Sequence, residues 1–483
     1  MSAFERTLPP PARPRGDLRL ELWLLAAALV GVPVAVAATI RLNPWLSLVL
    51  AVTVIAVALA WKSIIYPLAL GGVPALVVGL YGSNPLPTGV IFAATSLWLV
   101  LGVGFAFVRG CWPREASRLL APPIALTVLL AGIVLVRYSP SPYASAKLEL
   151  FLAQNLPLLL AGMLTASSRG LFRRYVLIAL GLALANGALL GLRLSSGNAQ
   201  AVYSARFTIS ESFAPIQAGR LAAEGVLYSI MLVLAARDGR SRVFGLVSLP
   251  FLAIALLGSG SRGPTLALLL ASLTLVALSM RERQTRTRLL VVAAGVAAAL
   301  LAAVVIVPAD AVSRSTSFLL GNSGDLASNG RSLLWDLAGH LFATHPLAGV
   351  GLGGFALYNP IEQFPHNILL EAAAELGIVG LAVVAGVLVL AFATALAAWR
   401  LTSESDDRFD AALVAALLVA ATTNAMLSDA IESTGGLWLA IGLVYGVRAR
   451  IDSRRTEAAP GAAPEEGGSA AATPSAPKPS PAL

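Results

Sequence analysis

Long apolar runs alternate with short polar segments along most of the chain. A helix that crosses the hydrocarbon core of a bilayer needs about 20 mostly apolar residues, and fourteen stretches approach or exceed that length. They are residues 20–40, 44–60, 63–81, 89–108, 119–137, 148–165, 175–192, 220–236, 243–258, 263–280, 289–307, 368–398, 410–427 and 435–447. The pattern predicts an all-α polytopic integral membrane protein with about fourteen transmembrane helices, in a range of twelve to fourteen, in a membrane domain over residues 20–450.

The composition excludes a soluble fold. Of the 483 residues, 57% are hydrophobic and only 12% are charged, about half the roughly 25% of charged residues in soluble domains. The formal net charge of +9 reflects basic cytoplasmic loops in a membrane protein and does not indicate nucleic-acid binding. With Cys111 as the single cysteine, the chain cannot form an intrachain disulfide.

The two ends of the chain differ from the rest. Residues 1–19 contain PPPARPRG, and residues 451–483 consist largely of Ala, Pro, Gly and Ser without apolar periodicity. Such segments bury too little apolar surface to fold. We expect disordered tails without chemistry of their own.

The basic residues predict the orientation. With the N-terminus inside, 25 of the 34 Lys and Arg residues fall in inner segments and nine in outer ones. This asymmetry obeys the positive-inside rule, and an error of one span would destroy it. Both tails are therefore predicted to be cytoplasmic, and the two longest loops, about 193–219 and 308–367, to be external. Long ordered loops are often functional.

The second external loop, between spans 11 and 12, contains all three histidines, His340, His345 and His366. Its segment 331–343, RSLLWDLAGHLFA, has apolar residues at helical spacing, namely Leu334, Leu337, Ala338 and Leu341. The spacing predicts an amphipathic helix that lies on the outer membrane surface or caps the bundle. The glycine-rich segment HPLAGVGLGGF that follows either brings backbone N–H groups close to a ligand or connects helices for steric reasons.

The sequence PHNILLEAAAELGIVG begins the twelfth span. Asn367 is a predicted N-cap, which leaves His366 just outside the helix. Glu371 and Glu375, four residues apart, share one face, and Glu375 lies roughly 13 Å deeper than His366. A carboxylate that faces lipid at the bilayer centre costs about 2.5–3.5 kcal/mol, so we expect Glu375 to face a cavity or a partner.

Three helix starts predict an anion site. In GSGSRGP, residues 258–264, Pro264 suits the first turn of a helix, so the positive end of the tenth span lies beside Arg262. The eighth and twelfth spans present their N-termini beside Arg220 and His366. Helix N-termini and arginines bind anions. Each arginine alone is equally explained by a lipid headgroup, but the set favours an anionic ligand reached from outside.

Four segments in this order, SGSRG, GRSLLW, HPLAGVGLGGF and HNILLEAAAELGIVG, resemble the O-antigen ligase and polymerase family over roughly residues 140–400. These are bacterial glycosyltransferases of the cytoplasmic membrane, which take a glycan from a polyprenyl-diphosphate carrier on the outer side. The most specific pattern is HNxxLxxxxExGxxG, met here by His366, Asn367, Leu370, Glu375, Gly377 and Gly380.

The resemblance implies site residues. His366 matches the catalytic histidine and Arg262 the arginine of the Ser-Arg-Gly turn, with Asn367 and Glu375 in supporting roles. Glu375 is expected to orient one of the arginines that bind the diphosphate.

The second diphosphate-binding arginine is less well defined. Arg206 matches it, but Ala214 stands where the family commonly has Asn before Pro215. Arg220 therefore competes with Arg206, and Arg331 is expected to have a secondary role.

The chemistry agrees with these residues. A sugar diphosphate carries a good leaving group, which fixed arginines stabilise as it departs, and the attacking hydroxyl needs a base such as His. The chain has no Asp-x-Asp pair, and H-x4-H-x20-H without cysteines is a poor zinc pattern. We expect no metal and no cofactor. The expected partners are a polyprenyl-diphosphate-linked glycan donor, a glycan, lipid or protein acceptor, and membrane lipid.

A transporter or flippase of lipid-linked glycans is the main alternative. Such proteins also have twelve to fourteen spans, but they place polar residues near the bilayer midplane, whereas here those residues cluster in external loops. Glu149 and Glu224, which are predicted to lie near or within spans, keep the alternative open. A structural scaffold would leave the external arginines unexplained. Ligase and polymerase share these motifs, so the glycan and the acceptor stay open.

The orientation is testable with alkaline phosphatase, which forms its disulfides and becomes active only outside the cytoplasm. A fusion after residue 325 should be active, and one after residue 285 inactive. The reverse pattern would place the predicted site in the cytoplasm and exclude the proposed chemistry.

Overall fold

The computed structural model describes residues 55–70, 88–111, parts of 121–139, and then 141–197, 201–203, 206–208, 214–236, 238–280, 283–317, 331–359, 361–402 and 404–458. The first predicted span, the N-terminal tail and residues 459–483 lie outside the described residues, as do parts of the second, third and fifth spans.

Helices make up nearly all of the described structure. They are α1 (Ile65–Leu70), α2 (Thr88–Val108), α3 (Pro142–Leu150), α4 (Leu156–Ala166), α5 (Arg169–Ser195), α6 (Pro215–Ala235), α7 (Gly239–Gly258), α8 (Arg262–Ser279), α9 (Arg283–Ile306), α10 (Ala309–Thr316), α11 (Arg331–Thr344), α12 (Phe355–Tyr358), α13 (Ile368–Leu401), α14 (Ser405–Ser428) and α15 (Gly435–Ala458). Residues 55–62 are also helical.

Eight helices in the described part of the chain are long and apolar enough to cross a membrane. They are Tyr143–Ala166, Arg169–Ser195, Pro215–Ala235, Gly239–Gly258, Arg262–Ser279, Thr287–Ile306, Ile368–Leu401 and Asp406–Ser428. Each corresponds to one of the sixth to thirteenth predicted spans, which confirms the helical membrane architecture. The total of about fourteen stays a prediction.

Three local features depart from the expectation of uninterrupted helices. A short antiparallel hairpin, β1 (Ala201–Tyr203) with β2 (Arg206–Phe207), lies in the loop predicted at 193–219; strands this short show no periodicity. A π-helical turn, Phe151–Asn155, joins α3 to α4. Helix α15 continues to Ala458, past residue 451 where the C-terminal tail was predicted to begin.

Helix α13 is broken at Gly377, which has φ of 67° and ψ of −162°. A Cβ atom at this position would lie 2.5 Å from the backbone of Leu347. The N–H of Ile378 donates to the carbonyl of Pro346 at 2.8 Å. Gly377 therefore both permits the break and lets the glycine-rich loop pack directly on the helix.

Small residues allow the helices to pack closely. A Cβ at Gly442 of α15 would lie 2.0 Å from the carbonyl oxygen of Leu159 in α4, and one at Gly187 of α5 would lie 2.2 Å from that of Phe251 in α7. Close backbone approach of this kind is typical of membrane helices, which gain dispersion contacts from it.

Helix α11 buries the predicted apolar face. Leu334, Ala338 and Leu341 pack with Phe355 and Ala374 in one hydrophobic cluster, so α11 is held against the start of α13. A helix thus forms over the predicted segment, and its apolar face lies on the bundle; the position of this helix on the outer membrane surface stays a prediction.

Lys147 of α3 is the centre of a buried ion network. Its ammonium group bonds to Glu371 and to both carboxylate oxygens of Glu375, at 2.9 and 2.8 Å; Glu432 Oε2 lies 4.0 Å away. All four side chains are at most 3% exposed. Tyr143, one turn before Lys147, donates its hydroxyl to Glu432.

Backbone donors complete the network. Glu371 Oε2 accepts the N–H of Ile431 at 2.8 Å, and Glu375 accepts those of Gly353 at 2.9 Å and Phe355 at 3.3 Å. The network therefore ties together α3, the glycine-rich loop, the start of α13 and the turn after α14.

Replacing Lys147 by Met should lower the unfolding temperature of the purified protein in detergent. The substitution leaves buried carboxylates without their counter-charge, which typically costs about 3–5 kcal/mol. Adding Glu375→Gln to Lys147→Met should recover part of the loss, because a neutral amide needs no ammonium partner. An unchanged unfolding temperature in Lys147→Met would contradict the structural role of the network.

Candidate functional site

The starts of helices α6, α8 and α13, where the sequence predicts an anion site, lie at the same end of the bundle. A Cβ at Gly219 of α6 would lie 2.8 Å from Ser259 Oγ, and one at Gly263 of α8 would lie 3.3 Å from Ser428 Oγ at the end of α14. Arg220 follows Gly219 directly, and Arg262 precedes Gly263. These close approaches bring both arginines to the same end of the bundle as His366, whose Nδ1 lies 3.4 Å from the carbonyl of Ser428.

A cavity of about 700 Å³ lies at this end of the bundle. Its polar lining comes from Arg206 of β2, Arg331 at the start of α11, and Asn359, Glu362 and His366 in the loop before α13. The structure therefore brings three of the predicted site residues, two arginines and the histidine, to one cavity. A volume of this size is typical of small-molecule sites.

His366 has a left-handed backbone conformation, with φ of 59°. It is the only non-glycine residue with positive φ in the described part of the chain. Such a conformation is costly and persists only where the surrounding structure enforces it, as at many functional sites. Asn367 confirms its predicted role as N-cap: its side chain accepts the N–H groups of Leu369 and Leu370 at 3.0 and 3.1 Å.

The His366 ring is held on three sides. Phe364 contacts it edge-on at 4.4 Å between centroids, and the carbonyl of Ser428 is positioned to accept from Nδ1. Nε2 lies 3.4 Å from Glu362 Oε2, on the side of the cavity. A neutral ring with its proton on Nδ1 leaves Nε2 free to accept a proton, and Glu362 would then pair with the imidazolium.

Arg262 and Arg331 are close enough to repel each other. Burial and the Arg262 guanidinium lower the pKa of Arg331, and the Glu362 carboxylate opposes this shift. Arg262 also donates from Nε to the carbonyl of Arg314 at 3.3 Å, which orients its side chain. Two like charges held together in this way favour a bound anion between or beside them.

Arg220 is paired within the protein. It donates to Asp429 Oδ1 at 2.6 Å, and the two side chains are 12% and 9% exposed. Burial raises the pKa of Asp429 to about 6, although the positive charge of Arg220 acts in the opposite direction. Arg206 lines the cavity, and Arg220 has the Asp429 carboxylate beside it.

One expectation needs correction, and one alternative that the sequence left open is decided. Glu375 does not orient an arginine, because its carboxylate is taken up by Lys147 and by the N–H groups of Gly353 and Phe355. The glycine-rich loop therefore does not offer these N–H groups to a ligand, and that of Gly351 donates to the carbonyl of Glu375 at 2.8 Å. The buried carboxylate needs donors, and the loop supplies them.

Four side chains of this region were not assigned roles from the sequence: Lys147, Glu362, Asp429 and Glu432. Lys147 is one of the nine basic residues assigned to external segments, and its position directly before a predicted span is the only signal that the sequence offers. The others lie in loops without any recognisable spacing.

Among the described residues, no group of three or more His, Cys, Asp or Glu is placed to hold a metal ion. Two of the histidines lie away from the cavity lining, and His345 contacts Thr344 Oγ1 at 3.0 Å. The charged groups of the cavity are therefore arginines, one glutamate and His366.

These features define an all-α membrane protein with an arginine-lined cavity and a strained histidine at one end of its bundle. Residues 246–385 match the family described as O-Antigen ligase, which confirms the resemblance predicted from the sequence and supports a glycosyltransferase-like function in the membrane. The matched range contains Arg262, Arg331 and His366, whereas Arg206 and Arg220 precede it. No curated protein matches the chain.

Asp429→Asn tests whether Asp429 competes with anions for Arg220. With a pKa of about 6, the Asp429 carboxylate is charged above pH 6 and neutral below it. Above pH 6, the wild type should therefore bind inorganic pyrophosphate more weakly than Asp429→Asn, and the difference should close as the pH falls below 6. Calorimetric titration measures both affinities.

The control for this titration is Asp310→Asn, which removes an exposed carboxylate in α10 outside the cavity lining. It should match the wild type at every pH. A difference between wild type and Asp429→Asn that stays constant with pH would show that titration of Asp429 does not govern anion binding.

Proposed function

We propose that the chain is an O-antigen ligase- or polymerase-like glycosyltransferase. It moves a glycan from a polyprenyl-diphosphate carrier to an acceptor hydroxyl, on the outer side of the bacterial cytoplasmic membrane. The observation that carries the proposal is the cavity that holds His366 in a strained backbone conformation beside Arg331 and Arg206. The family match over residues 246–385 supports the same class of reaction.

His366 is the proposed base. The acceptor hydroxyl oxygen attacks the anomeric carbon of the donor sugar while its proton passes to Nε2 of His366. The bond between the anomeric carbon and the diphosphate oxygen breaks, and its electron pair leaves with the diphosphate. Glu362, 3.4 Å from Nε2, stabilises the imidazolium that results.

The arginines supply the positive charge for the leaving group. Arg206 and Arg331 line the cavity, and the Arg262 guanidinium contributes to the lowered pKa of Arg331. Guanidinium groups bind phosphate oxygens in pairs of parallel hydrogen bonds, and fixed positive groups stabilise charge as it develops. Arg220 joins them when the diphosphate displaces Asp429. The diphosphate leaves without protonation, so the mechanism needs neither a general acid nor a metal ion.

Two variants should distinguish the role of the proposed base, His366, from that of the arginines proposed to bind the diphosphate. His366→Ala should lower transfer by roughly 10²–10⁴-fold, the usual scale for losing a general base, while donor affinity survives. Arg262→Lys keeps the charge but loses the planar fork, so donor affinity should fall, with the protein level near that of the wild type. Purified protein with a lipid-linked donor and an acceptor, assayed in EDTA, gives both quantities.

The control is Arg193→Lys, an exchange of the same type in α5 outside the cavity lining, which should leave transfer and binding unchanged. A fully active His366→Ala enzyme, or a requirement for a metal ion, would remove His366 from the mechanism. Donor translocation in proteoliposomes without any transfer would favour the flippase alternative, which Glu224 within α6 keeps open.

A further inference from the structure

A second cavity lies at the other end of the bundle from His366. It has a volume of about 280 Å³ and is formed by residues 60–64, the end of α2 and the segment that joins α4 to α5. The helix Tyr143–Ala166 begins at the Lys147 network and ends at this cavity. Its 24 residues span about 36 Å at 1.5 Å per residue. The cavity is therefore distinct from the proposed site and has no part in the proposed reaction.

The charge of this second cavity is positive. Lys62 and Arg109 line it, and no acidic residue is among the described residues around it. Arg109 donates from Nη1 to the carbonyls of Trp61 at 2.5 Å and Lys62 at 3.1 Å, and its guanidinium lies 6.0 Å from the centre of the Trp61 ring. These contacts hold the guanidinium in place without neutralising it. Within the described part of the chain, the Lys62 ammonium has no carboxylate partner.

Hydrogen-bond donors accompany the charges. The indole Nε1 of Trp61 is buried and has no acceptor among the described residues. Ser168, the N-cap residue of α5, also lines the cavity, and its side chain makes no capping bond. The unsatisfied N–H groups and the positive dipole of a helix start attract phosphate groups. The cavity thus combines two cations, a free indole donor and a helix start.

The remaining wall is apolar and continues onto an exposed apolar surface. Ile64, Leu164 and Leu171 line the cavity, and at the adjoining end of α2 Phe107 and Val108 are 68% and 74% exposed. A ligand that matches this surface has an anionic head and an apolar chain.

We propose that this cavity binds the phosphate headgroup of an anionic phospholipid, with an acyl chain along the end of α2. Basic pockets between membrane helices bind such headgroups on the cytoplasmic side, where the distribution of basic residues places this end. A Trp and two cations at the interface also anchor the helices at a defined depth. The site is independent of glycan transfer.

Native mass spectrometry of the full-length protein, delipidated in detergent and mixed with phosphatidylglycerol or phosphatidylcholine, tests the proposal. The wild type should retain phosphatidylglycerol in preference to phosphatidylcholine. Lys62→Gln should weaken this retention about fivefold, the effect of one cation near an anionic headgroup. Trp61→Phe, which removes the indole donor and keeps a smaller aromatic ring near Arg109, should also weaken it.

Arg174→Gln is the matched control, because it removes a positive charge from an exposed position in the first turns of α5 that does not line the cavity. It should retain phosphatidylglycerol as the wild type does. An equal loss in Arg174→Gln would mean diffuse surface attraction and overturn the proposal, as would equal retention of phosphatidylcholine. Displacement of the lipid by the same concentration of inorganic phosphate would assign the cavity to a free anion instead.

Discussion

One buried ammonium group holds together the end of the molecule that carries the candidate site. Lys147 reaches Glu371 and Glu375, and through them it connects a helix, a glycine-rich loop and the turn after α14. Charges buried this deeply are tolerated only when they are paired and fully hydrogen-bonded. Each buried carboxylate must be fully hydrogen-bonded, and part of its donors are backbone N–H groups. This requirement limits the surrounding backbone to one arrangement.

The position of His366 follows from that arrangement. Glu371 and Glu375 lie in the first turns of α13, so the network places the helix start, and Asn367 caps it. The Trp335 indole donates to the carbonyl of Pro365 at 3.1 Å, which holds the preceding loop on α11. His366 lies between the Asn367 cap and the Trp335–Pro365 hydrogen bond. The short connection between these two fixed points places His366 in the left-handed conformation. Its ring is thereby presented to the cavity before any ligand arrives, and groups fixed in advance need little reorganisation during a reaction.

The sequence was informative wherever the signal is local. Spans six to thirteen show as apolar runs, the cap at Asn367 follows from residue type and position, and the buried face of α11 follows from helical spacing. These features depend on residues within a few turns of one another.

The sequence was not informative where residues distant along the chain meet. Lys147 and Glu371 are separated by 224 positions, and no local pattern indicates that they pair. The predicted role of Glu375 is wrong for this reason: the arginines are the nearest basic residues by motif, whereas the actual partner, Lys147, lies 228 positions away in the chain. The glycine-rich loop was ambiguous because its glycines serve either a ligand or a close neighbour equally well, and only the position of Glu375 distinguishes the two.

The break at Gly377 has a mechanical consequence. The part of α13 before it is tied down by the ion network, whereas the part after it exposes Val379 and Val389 on the outside of the bundle, at 46% and 67%. Bilayers that thicken or thin cause lipid-facing helices to tilt. An unbroken helix would tilt as one rigid body and would move its N-cap residue, Asn367, with it. Because the backbone is interrupted at Gly377, the two segments of α13 are not one continuous helical rod, and a tilt of the longer segment has no straight helical path to the cap beside His366.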